Sequence, residues 1–160
     1  MPLTMNAVPL AAMVKDETKT VHEEVEQLLL PHLAAVQTTD DYAAILKMFY
    51  GYFQPLEKMI EALVTPAILP DIAERRKASA IVHDLSAIGQ DANSLLLSTH
   101  LPKIENAAQA MGALYVLEGS TLGGKMIAKM LRKNEALSLS DDKLTFFSGY
   151  GEETGSKWKT

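Results

Sequence analysis

The 160-residue chain contains no cysteine. Disulfide bonds, thiolate nucleophiles and thiolate metal ligands are therefore excluded, and the composition suits a reducing compartment such as the cytoplasm. No apolar stretch reaches the roughly 18–20 residues that span a bilayer, so we expect no membrane segment. The N-terminus also lacks the basic region of a signal peptide.

Positive charge is in the minority, with 15 basic against 20 acidic residues and a net charge of −5. A net-acidic chain is a poor candidate for wrapping nucleic acid, so we expect no nucleic-acid partner. Strand-like alternation is also absent, while Ala, Leu, Met, Glu and Lys dominate. The pattern predicts an all-α fold, and the length suits a single domain over residues 1–160.

Apolar spacing and helix-ending residues predict the following helices: about 10–30, ended by Pro31; a second capped by Thr39 and Asp40 and kinked at Pro55; a third from Asp71 to Gly89; a long fourth over about 103–134; a short fifth from Ser140 to near Tyr150; and a last one from Glu152. The last helix reaches Thr160 without a cap or breaker. We therefore expect the sequence to lack a final C-terminal helix or helices.

The fourth predicted helix carries three glycines, Gly119, Gly123 and Gly124, in the middle of its apolar pattern. Each costs roughly 1 kcal/mol relative to alanine in a helix. The pattern resumes promptly after them, which favours one helix that is kinked or locally unwound at the glycines. Gly119 and Gly123 are four apart and open one face to a flat, close ligand. Close packing between helices explains the same spacing equally well.

His22 lies in a charged stretch of the first predicted helix, with Lys15, Lys19 and Glu26 near the same face. A carboxylate at i+4 can accept one N–H of the imidazole and leave the other nitrogen for a metal. Lys15 and Lys19 could pair with anionic groups of the same ligand. An ordinary surface histidine with i, i+4 ion pairs is the competing interpretation.

The other three histidines, His32, His83 and His100, have no partners at useful spacing, so we interpret them as structural or solvent-facing. The Glu-x-x-His motif of carboxylate-bridged di-iron proteins is absent, as is the His-Glu-x-x-His motif of zinc hydrolases.

Three segments together resemble the heme oxygenase family, especially its bacterial, biliverdin-producing members. Residues 17–26 are similar to the family's proximal helix, and residues 112–124, Gly-Ala-Leu-Tyr-Val-Leu-Glu-Gly-Ser-Thr-Leu-Gly-Gly, are similar to its distal helix. Residues 146–159 resemble the approach to its last helices. Order and spacing agree over nearly the whole chain.

The resemblance implies a single-domain, all-α fold with heme between the proximal helix and a glycine-kinked distal helix. It implies His22 as the iron ligand. The implied heme-binding residues are Lys15, Thr18, Glu26, Gly119, Gly123, Gly124, Phe147 and Lys159. Gly119, Gly123 and Ser120 would hold water on the oxygen side. Ser120 stands where some members have an aspartate, and Leu114 where some have a tyrosine that contacts a propionate.

The resemblance implies cleavage of heme at a meso carbon to biliverdin, CO and Fe²⁺. Heme would be both substrate and cofactor. O₂ and electrons from an external reductase, ferredoxin or flavodoxin would be required. Two alternatives remain open: a heme carrier or sensor with the same fold but no turnover, and a helical interaction module whose glycines permit close packing.

Overall fold

A computed structural model describes residues 9–159. All regular structure in this range is helical, and no strand occurs within it. The α-helices are α1 (Leu10–Ala34), α2 (Thr39–Glu61), α3 (Ser79–Ala87), α4 (Ala107–Lys133), α5 (Thr145–Ser148) and α6 (Thr154–Lys159). Three 3₁₀ helices join them: Ile72–Glu74, Asp141–Lys143 and Gly151–Glu153. The prediction of an all-α fold is confirmed.

Several predicted helix bounds are wrong. Pro31 lies inside α1, where a proline removes one backbone hydrogen bond without ending the helix. Asp71 does not open α3, because its carboxylate binds the side chain of Arg75 and the helix begins only at Ser79. The fourth helix begins at Ala107 rather than near residue 103, with the Asn106 side chain accepting the N–H of Gln109.

The N-terminus of α2 carries a reciprocal capping box. Thr38, one residue before the predicted cap, accepts the N–H of Asp41 at 3.1 Å. The Asp41 carboxylate accepts the N–H of Thr38 at 2.9 Å. Pro55 lies inside the helix, as the sequence predicts.

The chain divides into two compact units, residues 1–35 and 36–160. Helix α1 is the regular element of the first unit, and the remaining helices belong to the second. That residues 1–160 form a single domain stays a prediction.

The core of the second unit is built around aromatic side chains from α2 and α5. The rings of Phe53 and Phe146 lie 5.2 Å apart, and the ring of Phe49 lies 5.4 Å from that of Phe147. Helix α4 packs against both α2 and α5. The second unit therefore holds α4 from more than one side.

Buried Asp84 of α3 fixes the start of α5. Its carboxylate accepts the N–H groups of Thr145 and Phe146 at 3.0 and 2.9 Å. These groups have no partner within a short helix, so the carboxylate acts as a cap supplied by another helix. None of the helices within residues 9–159 combines the length and the apolar character needed to cross a membrane.

Candidate functional site

His22 and Glu26 occupy successive turns of α1. The Nδ1 atom of His22 lies 3.7 Å from Oε1 of Glu26, and the two side chains are 69% and 57% exposed. This separation exceeds a hydrogen bond, but a small rotation of either side chain would close it. The pair therefore has the predicted i, i+4 arrangement, with Nε2 of His22 facing away from the carboxylate.

The other candidate residues of α1 have different surroundings. Thr18 donates its hydroxyl to the carbonyl of Val14 at 2.7 Å, so its proton is used within the helix. The Nζ atom of Lys19 lies 3.9 Å from Oε1 of Glu23. Lys15 is exposed and forms no ion pair with any residue from 9 to 159. Lys15 is thus the cation of this segment that is available to an anionic ligand.

Helix α4 runs without interruption through Gly119, Gly123 and Gly124. The prediction of one continuous helix is confirmed, and the alternative of local unwinding at the glycines is wrong. A kink at the glycines stays a prediction. A glycine costs roughly 1 kcal/mol in a helix interior, which packing of the flanking residues can offset. Leu117 and Thr121 are buried on either side of Gly119, so the helix is held by contacts rather than by propensity.

The glycines of α4 differ in what their missing side chains would meet. A Cβ atom on Gly124 would lie 2.5 Å from the carbonyl oxygen of Phe147, so only glycine permits this approach of α4 to α5. A Cβ on Gly119 would lie 3.3 Å from the ring of Trp158. A Cβ on Gly123 or Gly112 would meet nothing within 4 Å. Packing explains why position 124 is glycine. It does not explain the glycines at positions 112 and 123.

One side of α4 forms a smooth apolar strip, which we call the glycine face. Residues spaced alternately four and three positions apart share one side of an α-helix. The glycine face consists of five such residues: Gly112, Val116, Gly119, Gly123 and Met126. Val116 is 57% exposed and Met126 77%. An exposed apolar strip without side chains at three of its five positions suits a flat, largely apolar ligand.

Ser120 lies at the edge of the glycine face, about 60° around the helix axis from Gly123. Its hydroxyl donates to the carbonyl of Leu117 at 2.6 Å and accepts from the Arg76 guanidinium at 2.7 Å. The single hydroxyl proton is therefore committed to Leu117. Ser120 can still accept a hydrogen bond from a water through its remaining lone pair.

A buried ionic network lies directly beside Ser120 in sequence. The Glu118 carboxylate accepts from Arg75 at 3.1 Å and from the hydroxyl of Tyr150 at 2.8 Å. Arg75 also binds Asp71, which in turn binds Lys157 at 3.1 Å. The network joins α4 to the segment before α3 and to α6.

Tyr150 acts as a hydrogen-bond donor to Glu118. Burial raises the pKa of the Tyr150 hydroxyl to about 12; the N–H of Arg76 opposes this and the Glu118 carboxylate adds to it. The phenol therefore stays protonated at neutral pH and keeps the carboxylate of Glu118 satisfied.

Phe147 and Lys159, two of the predicted heme-binding residues, are placed differently. The ring of Phe147 is buried near those of Tyr42 and Phe49, and its main-chain carbonyl lies against Gly124. Lys159 is exposed near the end of α6. Their roles toward heme stay predictions.

A groove of about 700 Å³ lies elsewhere in the second unit, between α2 and the segment after α3. Tyr52, Asp91 and Leu96 are among its lining residues. None of the residues predicted from the sequence to bind a ligand lines it.

The sequence interpretation missed Arg75, Arg76, Glu118 and Tyr150. A charged residue at position 118, between Leu117 and Gly119 in an apolar stretch, was the available signal. Its partners lie 32 and 43 positions away along the chain. Helical periodicity contains no information on such contacts.

Comparison with known proteins identifies the family of this helical protein. The sequence profile of the family described as Heme oxygenase matches residues 8–160. The chain therefore belongs to the heme oxygenase family.

Among curated proteins, the chain is similar to a heme oxygenase of Xanthomonas campestris pv. campestris (strain 8004), with 31% identity over 96 residues. The match covers 60% of this chain and spans just over half (56%) of the relative's length. No solved structure matches significantly.

Proposed function

We propose that the protein is a heme oxygenase that cleaves heme at a meso carbon to biliverdin, CO and Fe²⁺. The glycine face of α4 is the observation that carries this proposal. It is apolar and largely exposed, and added Cβ atoms on Gly112 and Gly123 would meet nothing within 4 Å, while the ring of Trp158 lies beside Gly119. Family membership makes heme the flat ligand to test first.

His22 would bind the iron through its neutral imidazole, and Glu26 would hold the other ring nitrogen. No group of three or more potential metal-binding side chains occurs within residues 9–159. A lone histidine is sufficient for iron in heme, because the porphyrin nitrogens supply four further ligands. The donor set therefore fits heme.

Gly119 and Gly123 would let the backbone of α4 cover the other side of the porphyrin. Ser120 would accept a hydrogen bond from a water there. Lys15 and Lys159 would pair with the propionates and so set the orientation of the ring. Thr18, Gly124 and Phe147 would support these positions through the contacts of their own helices.

Bound heme supplies the O₂ and redox chemistry, and the protein supplies placement and exclusion of competing reactions. Electrons would come from a separate protein such as a reductase, ferredoxin or flavodoxin. The absence of cysteine supports a cytoplasmic location.

A non-catalytic heme carrier or sensor is the second candidate. The hydroxyl of Ser120, which stands in place of an aspartate, already donates to Leu117 and cannot also donate to a ligand in this rotamer. Such a site would bind heme but would deliver protons less effectively than a site with an aspartate at this position. Turnover therefore has to be measured separately from binding.

Binding is tested by titrating the purified protein with hemin. We expect a saturable Soret band in the wild type and a displaced, weakened band in His22→Ala. His83→Ala is the matched control, because His83 binds the main chain of Asp142 and has no predicted role toward heme. A His22→Ala spectrum identical to that of the wild type would contradict the assignment of the iron ligand.

Turnover is tested by adding ascorbate or a reductase system to the hemin complex under air, with catalase present. We expect the Soret band to decay and the absorption of biliverdin to grow. A complex whose heme is reduced and reoxidised without bilin formation would favour the carrier or sensor.

A further inference from the structure

Arg76 lies behind Ser120 and contacts α4 directly. Its Nη2 donates to the carbonyl of Leu117 at 2.8 Å and to the hydroxyl of Ser120 at 2.7 Å. Its Nη1 donates to the carbonyl of Phe146 at 3.2 Å. One guanidinium therefore joins α4 to α5 at the edge of the glycine face.

Two aromatic rings lie against this guanidinium, and the Arg76 residue is half-buried. Its central carbon lies 4.4 Å from the ring centroid of Phe146 and 5.2 Å from that of Phe53. Burial lowers the pKa of Arg76 to about 10, although Glu118 and Tyr150 partly oppose this. Arg76 is therefore still a cation at neutral pH.

Arg76 differs from its neighbour in how its charge is balanced. Arg75 is paired with the carboxylates of Asp71 and Glu118. No carboxylate forms an ion pair with Arg76 in the part of the chain that the structure describes. The direct acceptors of Arg76 are neutral, and Glu118, whose charge also acts on Arg76, is itself paired with Arg75. Arg76 therefore keeps more of its field than a cation that is paired directly with a carboxylate.

The contacts of Arg76 also fix Ser120. The hydroxyl oxygen accepts from the cation while its proton points to the Leu117 carbonyl, so both partners hold a single rotamer. Ser120 follows Gly119 directly on the same helix. The positive charge therefore acts at the edge of the glycine face.

We propose that Arg76 is the positioning residue for Ser120 and the fixed positive charge that favours an anionic ligand on the glycine face. This inference rests on the proposed binding of heme to that face. Arg76 lies outside α1 and α4, the two helices that carry most of the residues predicted from the sequence to bind the ligand. The ligand class is a small anion on the glycine face.

The test compares azide, an anion, with imidazole, a neutral ligand, in equilibrium titrations of the ferric hemin complex. In Arg76→Gln we expect the affinity for azide to fall roughly tenfold, as removal of a nearby poorly screened charge predicts. The affinity for imidazole should stay within about twofold, because a neutral ligand does not interact with the net charge. Arg76→Lys should retain most of the affinity for azide.

Lys129→Met is the matched control, because it removes one positive charge from an exposed position of the same helix. Both affinities should equal those of the wild type. Arg76→Met is a second neutral variant, whose apolar side chain fills the space between Phe53 and Phe146. If Arg76→Gln does not fold, the same azide and imidazole titrations are made with Arg76→Met.

Equal losses for azide and imidazole would overturn the inference, because they would show a general disturbance of the pocket. Unchanged azide affinity in the neutral variants would overturn it too. Failure of the wild type to bind hemin would overturn the proposed function and this inference together. A normal hemin complex with the wrong azide response would overturn this inference alone.

Discussion

At the scale of single residues, the glycines of α4 differ in what surrounds them. Gly124 is required by the carbonyl of Phe147, whereas Gly123 faces open space. The sequence pattern presents them as one motif. Only the positions of α5 and α6 in the structure show which glycines are needed for packing and which lie on an open face.

Gly124→Ala should destabilise the protein, because its Cβ would overlap the carbonyl oxygen of Phe147 and force α5 to shift. We expect the free energy of unfolding to fall by about 1–3 kcal/mol, the usual range for overpacking. Urea denaturation followed by circular dichroism measures this change.

Gly123→Ala is the matched control, because its Cβ meets nothing within 4 Å. Without hemin, the variant should gain up to about 1 kcal/mol from its better helix propensity. Gly123→Leu should bind hemin more weakly than the wild type while remaining folded. Unchanged hemin affinity in Gly123→Leu would argue against heme on the glycine face.

At the scale of elements, α4 is held by buried charges as well as by apolar packing. Glu118 accepts from both Arg75 and Tyr150 and so couples α4 to two other segments. Such a carboxylate stabilises the fold only while its partners are present. The position of the glycine face therefore depends on residues outside α4.

Glu118→Ala should lower the free energy of unfolding by about 1–3 kcal/mol, because it leaves the buried phenol of Tyr150 without its acceptor and removes one of the two carboxylates that bind Arg75. Glu118→Gln should cost less, since the amide oxygen still accepts one hydrogen bond. Chemical denaturation of both variants measures the difference. Equal losses in the two variants would contradict a role for hydrogen bonding at this position.

The capping box of α2 predicts a dependence of stability on acid. Hydrogen bonds from the N–H of Gln37 and from Thr38 lower the pKa of Asp41 below its ordinary value of 3.8. A hydrogen bond from Lys77 likewise lowers the pKa of Glu61 below 4.5. Stability from these carboxylates is present above the ordinary pKa values and is lost as the pH falls through the lowered ones.

Asp41→Asn should therefore flatten the fall in thermal stability that we expect of the wild type below about pH 4. Scanning calorimetry between pH 3 and pH 7 measures the slope. Asp16→Asn, on exposed α1, is the control and should leave the slope unchanged. An unaltered slope in Asp41→Asn would contradict this account of the cap.

At the scale of the whole molecule, helical periodicity was sufficient to predict the all-α fold and the long fourth helix. The helix bounds were less predictable, because Asn106 and Asp84 act through side chains whose geometry depends on the folded chain. The i, i+4 arrangement of His22 and Glu26 was predictable because their spacing is local. Arg76 was not found, because it meets Ser120 across 44 positions of sequence.

Release of CO tests the central claim most directly, because CO forms only when the porphyrin ring is opened. The hemin complex is supplied with reductant and O₂ in the presence of catalase, and CO is trapped by ferrous myoglobin, from which it displaces O₂. We predict CO equimolar with the heme consumed, and far less from His22→Ala. A stable wild-type hemin complex that consumes reductant and O₂ without releasing CO would contradict the proposed heme oxygenase activity.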